Sequence, residues 1–560
     1  LVWDLSLGGL GTCKTAGPFA KGRISLAKKF STVLGLAVKP VITNPTATLE
    51  THQPRPVTDQ KDHQMDASTL LSTSQDIGSS PIGKKDLVRR AICSRIITGI
   101  YRKGDNVPSC RDIAGQLLVS KNSAYEAYYD LVGLGILEAR NRSGFTVALD
   151  IPGVKKQLPP DSALQDAPPK STKPRQLNCR LPAANMRANQ PQNWTQYQFP
   201  FVYNQIDTEL FPIEAWRECS RLALGRKALP IWTSEAVDVD CPDLIFQLRH
   251  RLLHYRGINV AEDEILVTVG AQHALSIIGT LFAEDPRPIA FENPGYQEAR
   301  HMFHLYNNQI APVPVDIGGF DPDRLPAEFK LAYITPGCQF PTMVVMPDDR
   351  RVRVIEKARA ANALVIEDDY EIGLVGHVKL KPALKSLDED GTVIYVGSLS
   401  KTLSPSIRMG FIVADRDIIK SAKTVRSLTV RHPPSIVQET TAMFLAHGYH
   451  DAHIKNLREI YSQRWHIMQE GIKKHLPMFS PGDATGGTSF WLTGPENFDA
   501  EVFAKRLQQR GVLIEPGHIF YNGGVTKNSF RIGFPSVAGN KINTGLHHIS
   551  DEAKSYLETL

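Results

Sequence analysis

Ser398-Leu399-Ser400-Lys401-Thr402 follows the apolar run Thr392-Val393-Ile394-Tyr395-Val396, and Arg408 stands seven residues beyond the lysine. Five consecutive β-branched and aromatic residues read as a buried strand. A lysine on the loop after such a strand, flanked by hydroxyls and a guanidinium, suits a Schiff base to an aldehyde cofactor that carries a phosphate. Ser398, Ser400 and Arg408 hold the phosphate in that reading. Alone, Ser-x-Ser-Lys is a weak signal, because a solvated lysine after a strand is the commoner occurrence.

The neighbouring chain strengthens it. Upstream, short apolar runs alternate with helical segments, and each run delivers polar residues at its end. Ile265-Leu266-Val267-Thr268-Val269 leads into Gly270-Ala271-Gln272, and Pro288-Ile289-Ala290-Phe291 into Glu292-Asn293-Pro294-Gly295-Tyr296. Leu331-Ala332-Tyr333-Ile334 leads into Thr335-Pro336, and Ala363-Leu364-Val365-Ile366 into Glu367-Asp368-Asp369-Tyr370. This alternation predicts an α/β domain with a mainly parallel sheet over residues 196–560, its ligands gathered beyond the strand ends. A pyridoxal phosphate site needs a carboxylate against the ring nitrogen and gains from a phenol near the ring oxygen, the parts given to Asp368 and Tyr370. Backbone N–H groups of Ala271 and Gln272 can take the phosphate at a helix start. Tyr296 can stack on the ring, and Arg531 in Phe530-Arg531-Ile532-Gly533 can bind a ligand carboxylate. Each has a plainer reading: Asp368 as a helix cap, Tyr296 as core, Arg531 as a surface ion pair. Their shared position after strands favours the site.

The N-terminal quarter differs. The whole chain of 560 residues carries a net charge of only +6, too little to diagnose a nucleic-acid partner. Residues 1–64 contribute +4 and residues 84–148 contribute +5, so the remainder is slightly acidic. In the second of these segments Val88, Ile92 and Ile96 repeat at helical spacing, with Leu87 and Ala91 beside them. Ser109 is placed to cap a second helix, and Ser120-Lys121-Asn122-Ser123 opens a third with Ala124, Ala127, Tyr128, Leu131 and Leu134 facing inward. Residues 136–140 and 145–148 then read as a hairpin around Asn141-Arg142-Ser143-Gly144. Three helices and a hairpin predict a winged helix-turn-helix over residues 84–150. Ser120, Lys121, Asn122, Ser123 and Tyr125 sit where a recognition helix meets base edges, while Ser109 and Arg111 lie near phosphates and Arg140 and Arg142 at the wing tip. The plainer reading is a solvated charged face.

Residues 151–195 hold eight prolines and few large apolar side chains, the composition of a linker. Residues 1–83 read as disordered or non-native, with a start expected near Met65, the first methionine. Seven scattered cysteines without a Cys-x-x-Cys spacing argue against a disulfide framework or a zinc site and for the cytoplasm. No apolar stretch approaches membrane-spanning length.

Two resemblances follow from these motifs. Pro108-Ser109-Cys110-Arg111 and Ser120-Lys121-Asn122-Ser123 resemble the paired entries of the GntR-type winged helix; Phe145 directly after Gly144, where many members have Gly-Thr, is a departure. Residues 200–545 resemble fold-type I, pyridoxal-phosphate-dependent aminotransferases, and the combination resembles the MocR subfamily of GntR regulators. By that resemblance Lys401 carries pyridoxal 5′-phosphate, Asp368 pairs with the pyridine nitrogen in preference to Asp369, and Tyr370 meets the ring hydroxyl. Ser398 and Arg408 contact phosphate, and Arg531 an effector carboxylate. It also implies a homodimer, double-stranded operator DNA and a small amino-compound effector. A working aminotransferase with an accessory DNA-binding domain is the alternative. Cys338 stands where the family has His, and Met343 where it has Gly.

Overall fold

The computed structural model describes residues 83–140, 144–148, 193–202, 206–226, 228–235, 239–306, 308–371, 373–374, 381–482, 486–523 and 527–560. The segment before residue 83, nearly all of the Pro-rich stretch and Arg142 lie outside them. The chain divides into two compact units.

In the first unit, helix α1 (Lys84–Ile97) packs on α2 (Cys110–Leu117) and α3 (Lys121–Gly133), followed by strands β1 (Leu137–Arg140) and β2 (Gly144–Val147). The inner face of α1 is Val88, Ile92, Cys93 and Ile96; Leu87, expected beside them, is exposed because the stripe rotates toward Cys93. Ser109 and Ser120 cap α2 and α3, each accepting a hydrogen bond from the backbone N–H three residues on. Between the two helices Leu118 takes a left-handed conformation and stands exposed, which makes the tight turn. Ala124, Ala127, Tyr128 and Leu131 are fully buried, whereas Leu134 caps α3 and is only partly so. The Tyr128 hydroxyl donates to the Pro108 carbonyl at 2.8 Å, tying α3 to the start of α2. Phe145 lies edge-on to Tyr128 and Tyr129, so the wing departure docks β2 onto α3.

The second unit is built on an eight-stranded sheet, after a short strand β3 (Phe199–Pro200). Its strands are β4 (Ile265–Thr268), β5 (Ile289–Asn293), β6 (Ile310–Asp316), β7 (Gly319–Phe320), β8 (Leu331–Ile334), β9 (Leu364–Asp369), β10 (Val393–Ser398) and β11 (Gly410–Val413). Their spatial order is β4-β11-β10-β9-β8-β5-β6-β7. Strands β6, β5, β8, β9 and β10 are neighbouring and parallel, and β11 runs against both β10 and β4. Both faces are covered, so the strands read as unbroken apolar runs. Tyr333, Ile366 and Ile394 enter the core on one face; Ala332, Val365 and Val393 enter that on the other.

A smaller antiparallel sheet joins β12 (Ser480–Pro481), β13 (Ser489–Thr493), β16 (Ser529–Gly533) and β15 (Glu515–Pro516), while β14 (Val512–Leu513) pairs with β3. The 27-residue helix Tyr449–His475 and the helix Gly539–Leu557 pack together and supply its apolar cover.

Candidate functional site

The carboxyl ends of β4, β5, β8, β9 and β10 converge on one pocket, lined by Ala271, Gln272, Tyr296, Asp368, Tyr370, Ser398, Ser400, Lys401 and Arg408 together with Tyr333, Thr335 and Phe340. The cofactor-binding residues anticipated from sequence therefore share one cavity. At its base Lys401 is buried, which pushes its amine down to about 8 against the opposing pull of Glu371.

Asp368 and Asp369 end the same strand and face opposite ways. Asp369 accepts from Arg256 Nε at 2.6 Å and from the Tyr395 hydroxyl at 2.8 Å, so it is consumed by a buried ion pair. Asp368 faces the pocket, and its Oδ2 accepts from the Tyr333 hydroxyl at 2.7 Å. Its Oδ1 is buried without a hydrogen-bond partner. Burial pushes this carboxyl up to about 7, with Asp369 adding to the rise and the Tyr333 bond working against it. An acceptor left bare in this way fits a ring nitrogen that carries a proton.

At the opposite end, helix Gly270–Leu281 starts where Gly270 has φ +78°. A Cβ there would come within 2.7 Å of the Arg408 guanidinium, and Arg408 donates to the Val269 carbonyl at 3.0 Å. Glycine thus lets the arginine lie across the helix start, where free N–H groups and a cation face the same volume. Ser398 accepts from the Ser400 backbone N–H at 3.2 Å, which turns the loop back over that volume. Hydroxyls, amides and a guanidinium so placed form an anion cradle. His273, held by the Val269 N–H at 3.1 Å, is pushed down to about 4 by burial and then by Arg426 and Arg408.

Aromatic and sulfur-bearing side chains form the adjacent wall. Tyr296 and Tyr370 each meet Phe340 edge-on. Met343 takes φ +64°, the conformation glycine adopts without strain and the reason glycine suits this position. Its sulfur lies 3.6 Å from the Cys338 sulfur and 4.0 Å from the Tyr370 hydroxyl, so the two departures from the family pattern are in contact. Both sulfurs lie within 3 Å of where a Cβ on Gly487 would stand.

Arg531 does not line the cavity. It is fully buried in β16, 2.7 Å from Glu515 Oε2, with its guanidinium 4.7 Å above the Phe340 ring. Arg531 thus stands in a buried ion pair and not in the surface one of its plainer reading, and a ligand carboxylate would meet an arginine that already holds an acid. Sequence reasoning missed Glu515, Tyr333 and Arg256. Glu515 is the cross-strand partner of Arg531 in the β15–β16 register, which no local pattern announces. Tyr333 was readable only as one strand residue among several.

In the first unit, Arg111, Ser120, Lys121, Tyr125 and Arg140 are exposed, with Asn122 also on the surface and Ser123 partly covered. Tyr125 and Tyr129 lie 4.6 Å apart on the outer face of α3. Ser109 serves first as a cap: its hydroxyl donates to Asp112 at 2.7 Å and its oxygen accepts the Asp112 N–H.

The two units define a class: a winged-helix head joined to an aminotransferase-fold body. Residues 84–147 match the model of bacterial regulatory proteins of the gntR family, and residues 242–549 match aminotransferase class I and II. The chain belongs to the MocR-type GntR regulators. It is 34% identical to the HTH-type transcriptional regulator TauR of Rhodobacter capsulatus over 83% of this chain and 95% of that one. It is 28% identical to the probable rhizopine catabolism regulatory protein MocR of Rhizobium meliloti, over 76% and 84% of the two chains. The kynurenine aminotransferase of Pyrococcus horikoshii shares the fold of the second unit, with a TM-score of 0.61 and 26% identity over 65% of this chain and 93% of that one. The relatives that span head and body are transcriptional regulators, and the chain is a DNA-binding regulator with an aminotransferase-like domain. Among the described residues no helix is long and apolar enough to cross a membrane.

Proposed function

We propose that the body holds pyridoxal 5′-phosphate on Lys401 and that an amino compound bound there alters how the head grips double-stranded DNA. The observation that carries this reading is Asp368 Oδ1, buried and without a hydrogen-bond partner, in the same pocket as a buried lysine whose amine is depressed to about 8. The cofactor supplies an electrophilic carbon for amines and an electron sink. Around it, the Ala271 and Gln272 N–H groups, Ser398, Ser400 and Arg408 hold the phosphate, and Asp368 keeps the ring nitrogen protonated. Tyr370 donates to the ring oxygen, Tyr296 covers the ring face, and Lys401 holds or releases a proton at Nζ. Arg531 receives the effector's acid group in competition with Glu515.

In the head, Ser120, Lys121, Asn122, Ser123 and Tyr125 read the groove, with Arg111 on phosphate and Arg140 and Arg142 at the wing. A homodimer presents two heads to paired half-sites. Exposed Leu222, Leu229, Ile231 and Phe246 offer apolar surface of the kind a second copy covers. The protein works in the cytoplasm.

Fluorescence anisotropy of cofactor-loaded protein on DNA from its own upstream region, with and without a panel of amino compounds, tests the reading. At least one compound shifts the affinity several-fold, and transamination assayed in parallel stays below multiple turnover. Robust turnover with no change in DNA affinity contradicts it.

A further inference from the structure

A second cavity of about 330 Å³ lies beside the start of helix Tyr449–His475, away from the residues that line the first pocket. That volume is at the lower end of small-ligand sites. Its cations are Arg251 and Arg458. Arg251 is paired with Asp451 at 2.8 Å, whereas no carboxylate pairs with Arg458 among the described residues. Arg458 instead donates to the Gly373 carbonyl and the Tyr255 hydroxyl and lies over the Tyr255 ring. The first turn of the helix adds its free N–H groups and the positive end of its dipole.

His450 is the decisive residue. It lines the cavity at 3% exposure, and neither ring nitrogen has a hydrogen-bond partner. The nearest acid, Asp451, puts Oδ1 3.8 Å from Nδ1, an ion-pair contact beyond hydrogen-bond reach, while its Oδ2 accepts from Arg251; His450 and then Arg251 hold that carboxyl below its usual range. A buried imidazole without a hydrogen bond is costly unless something else takes its N–H. Leu252, Ile454 and the Tyr255 ring make the remaining wall apolar.

We propose that this cavity binds a compact anion, a carboxylate or phosphate on a small apolar body, with the acid group between His450 and Arg458. With Arg251 paired to Asp451, Arg458 leaves the cavity one net positive charge, and the apolar wall takes the body of the ligand. The site also abuts the first pocket's supports. Leu374, next to Gly373, donates its N–H to the Glu371 carbonyl at 3.1 Å, and His453, one helical turn after His450, faces the backbone of Thr402 beside Lys401. A ligand here reaches the lysine loop through one helical turn.

Isothermal titration of the full, cofactor-loaded chain with benzoate and with phenyl phosphate tests this and separates the two acid chemistries; benzylamine is the opposite-charge control. One saturable equivalent per chain is expected for at least one acid and none for the amine. Arg458→Met weakens it at least tenfold, His450→Ala weakens it several-fold, and Arg458→Lys restores part of the loss. Melting temperatures confirm that each variant is folded. No saturable heat from either acid overturns the proposal, as does heat that survives both Arg458→Met and His450→Ala. Heat lost in Arg408→Ala overturns it too, because the anion then sits in the first pocket. Failure of the chain to load cofactor refutes the pyridoxal-phosphate reading of the first pocket and leaves this binding test standing.

Discussion

The head and the body use arginine in opposite ways. In the head, Arg111 and Arg140 project into solvent, and Arg89 pairs with acids on a partly covered surface. In the body, Arg256, Arg351, Arg426 and Arg531 are fully buried, and all but Arg351 are paired with a carboxylate within 2.7 Å. Arg351 donates instead to the carbonyls of Met346, Pro336 and Pro382. Exposed cations are free to meet a polyanion and are screened by salt; buried ones are spent on geometry, fixing which carboxylates remain available to a ligand. Asp369 is silenced by Arg256, and Asp368 is thereby the acid left facing the pocket.

Substitutions in both regions probe that contrast, beginning with the largest effect. Arg256→Met strands the buried Asp369 charge and is expected to cost about 3–5 kcal/mol of body stability, read by denaturant unfolding. The matching exposed change, Arg111→Met, leaves unfolding within about 0.5 kcal/mol. Equal costs for the two would erase the distinction. Arg111→Ala lowers DNA affinity across all sequences and reduces the slope of log affinity against log salt by about one. Lys121→Ala changes sequence preference as well; a uniform loss there instead would move Lys121 to the phosphates. Asp368→Asn keeps the Tyr333 bond but removes the charge, and cofactor affinity measured by equilibrium dialysis should fall about tenfold, near 1.4 kcal/mol. Ser120→Ala deletes one cap and should cost the head about 1 kcal/mol without shifting the body's transition.

Local pattern carried much of this architecture into the sequence. The five apolar runs from Ile265 to Val396 became β4, β5, β8, β9 and β10, and their trailing polar residues met in one pocket because parallel strands end on the same side. What stayed hidden depended on pairing between distant segments. The choice between Asp368 and Asp369 is decided by Arg256, more than a hundred residues upstream, and the state of Arg531 by the register that sets Glu515 opposite it. Leu87 and Cys93 lie on opposite edges of the Val88, Ile92 and Ile96 stripe of α1, about 120° apart, so which of them is buried was also beyond the sequence pattern.

Titrating pyridoxal 5′-phosphate into the full chain and recording near-visible absorbance tests the central claim most directly. A band that saturates at one cofactor per chain is expected in wild type, forming faster as pH rises through about 8, where the Lys401 amine loses its proton. Lys401→Ala should show no such band while binding DNA as before. A wild-type chain without the band, or an identical band in Lys401→Ala, would contradict the account.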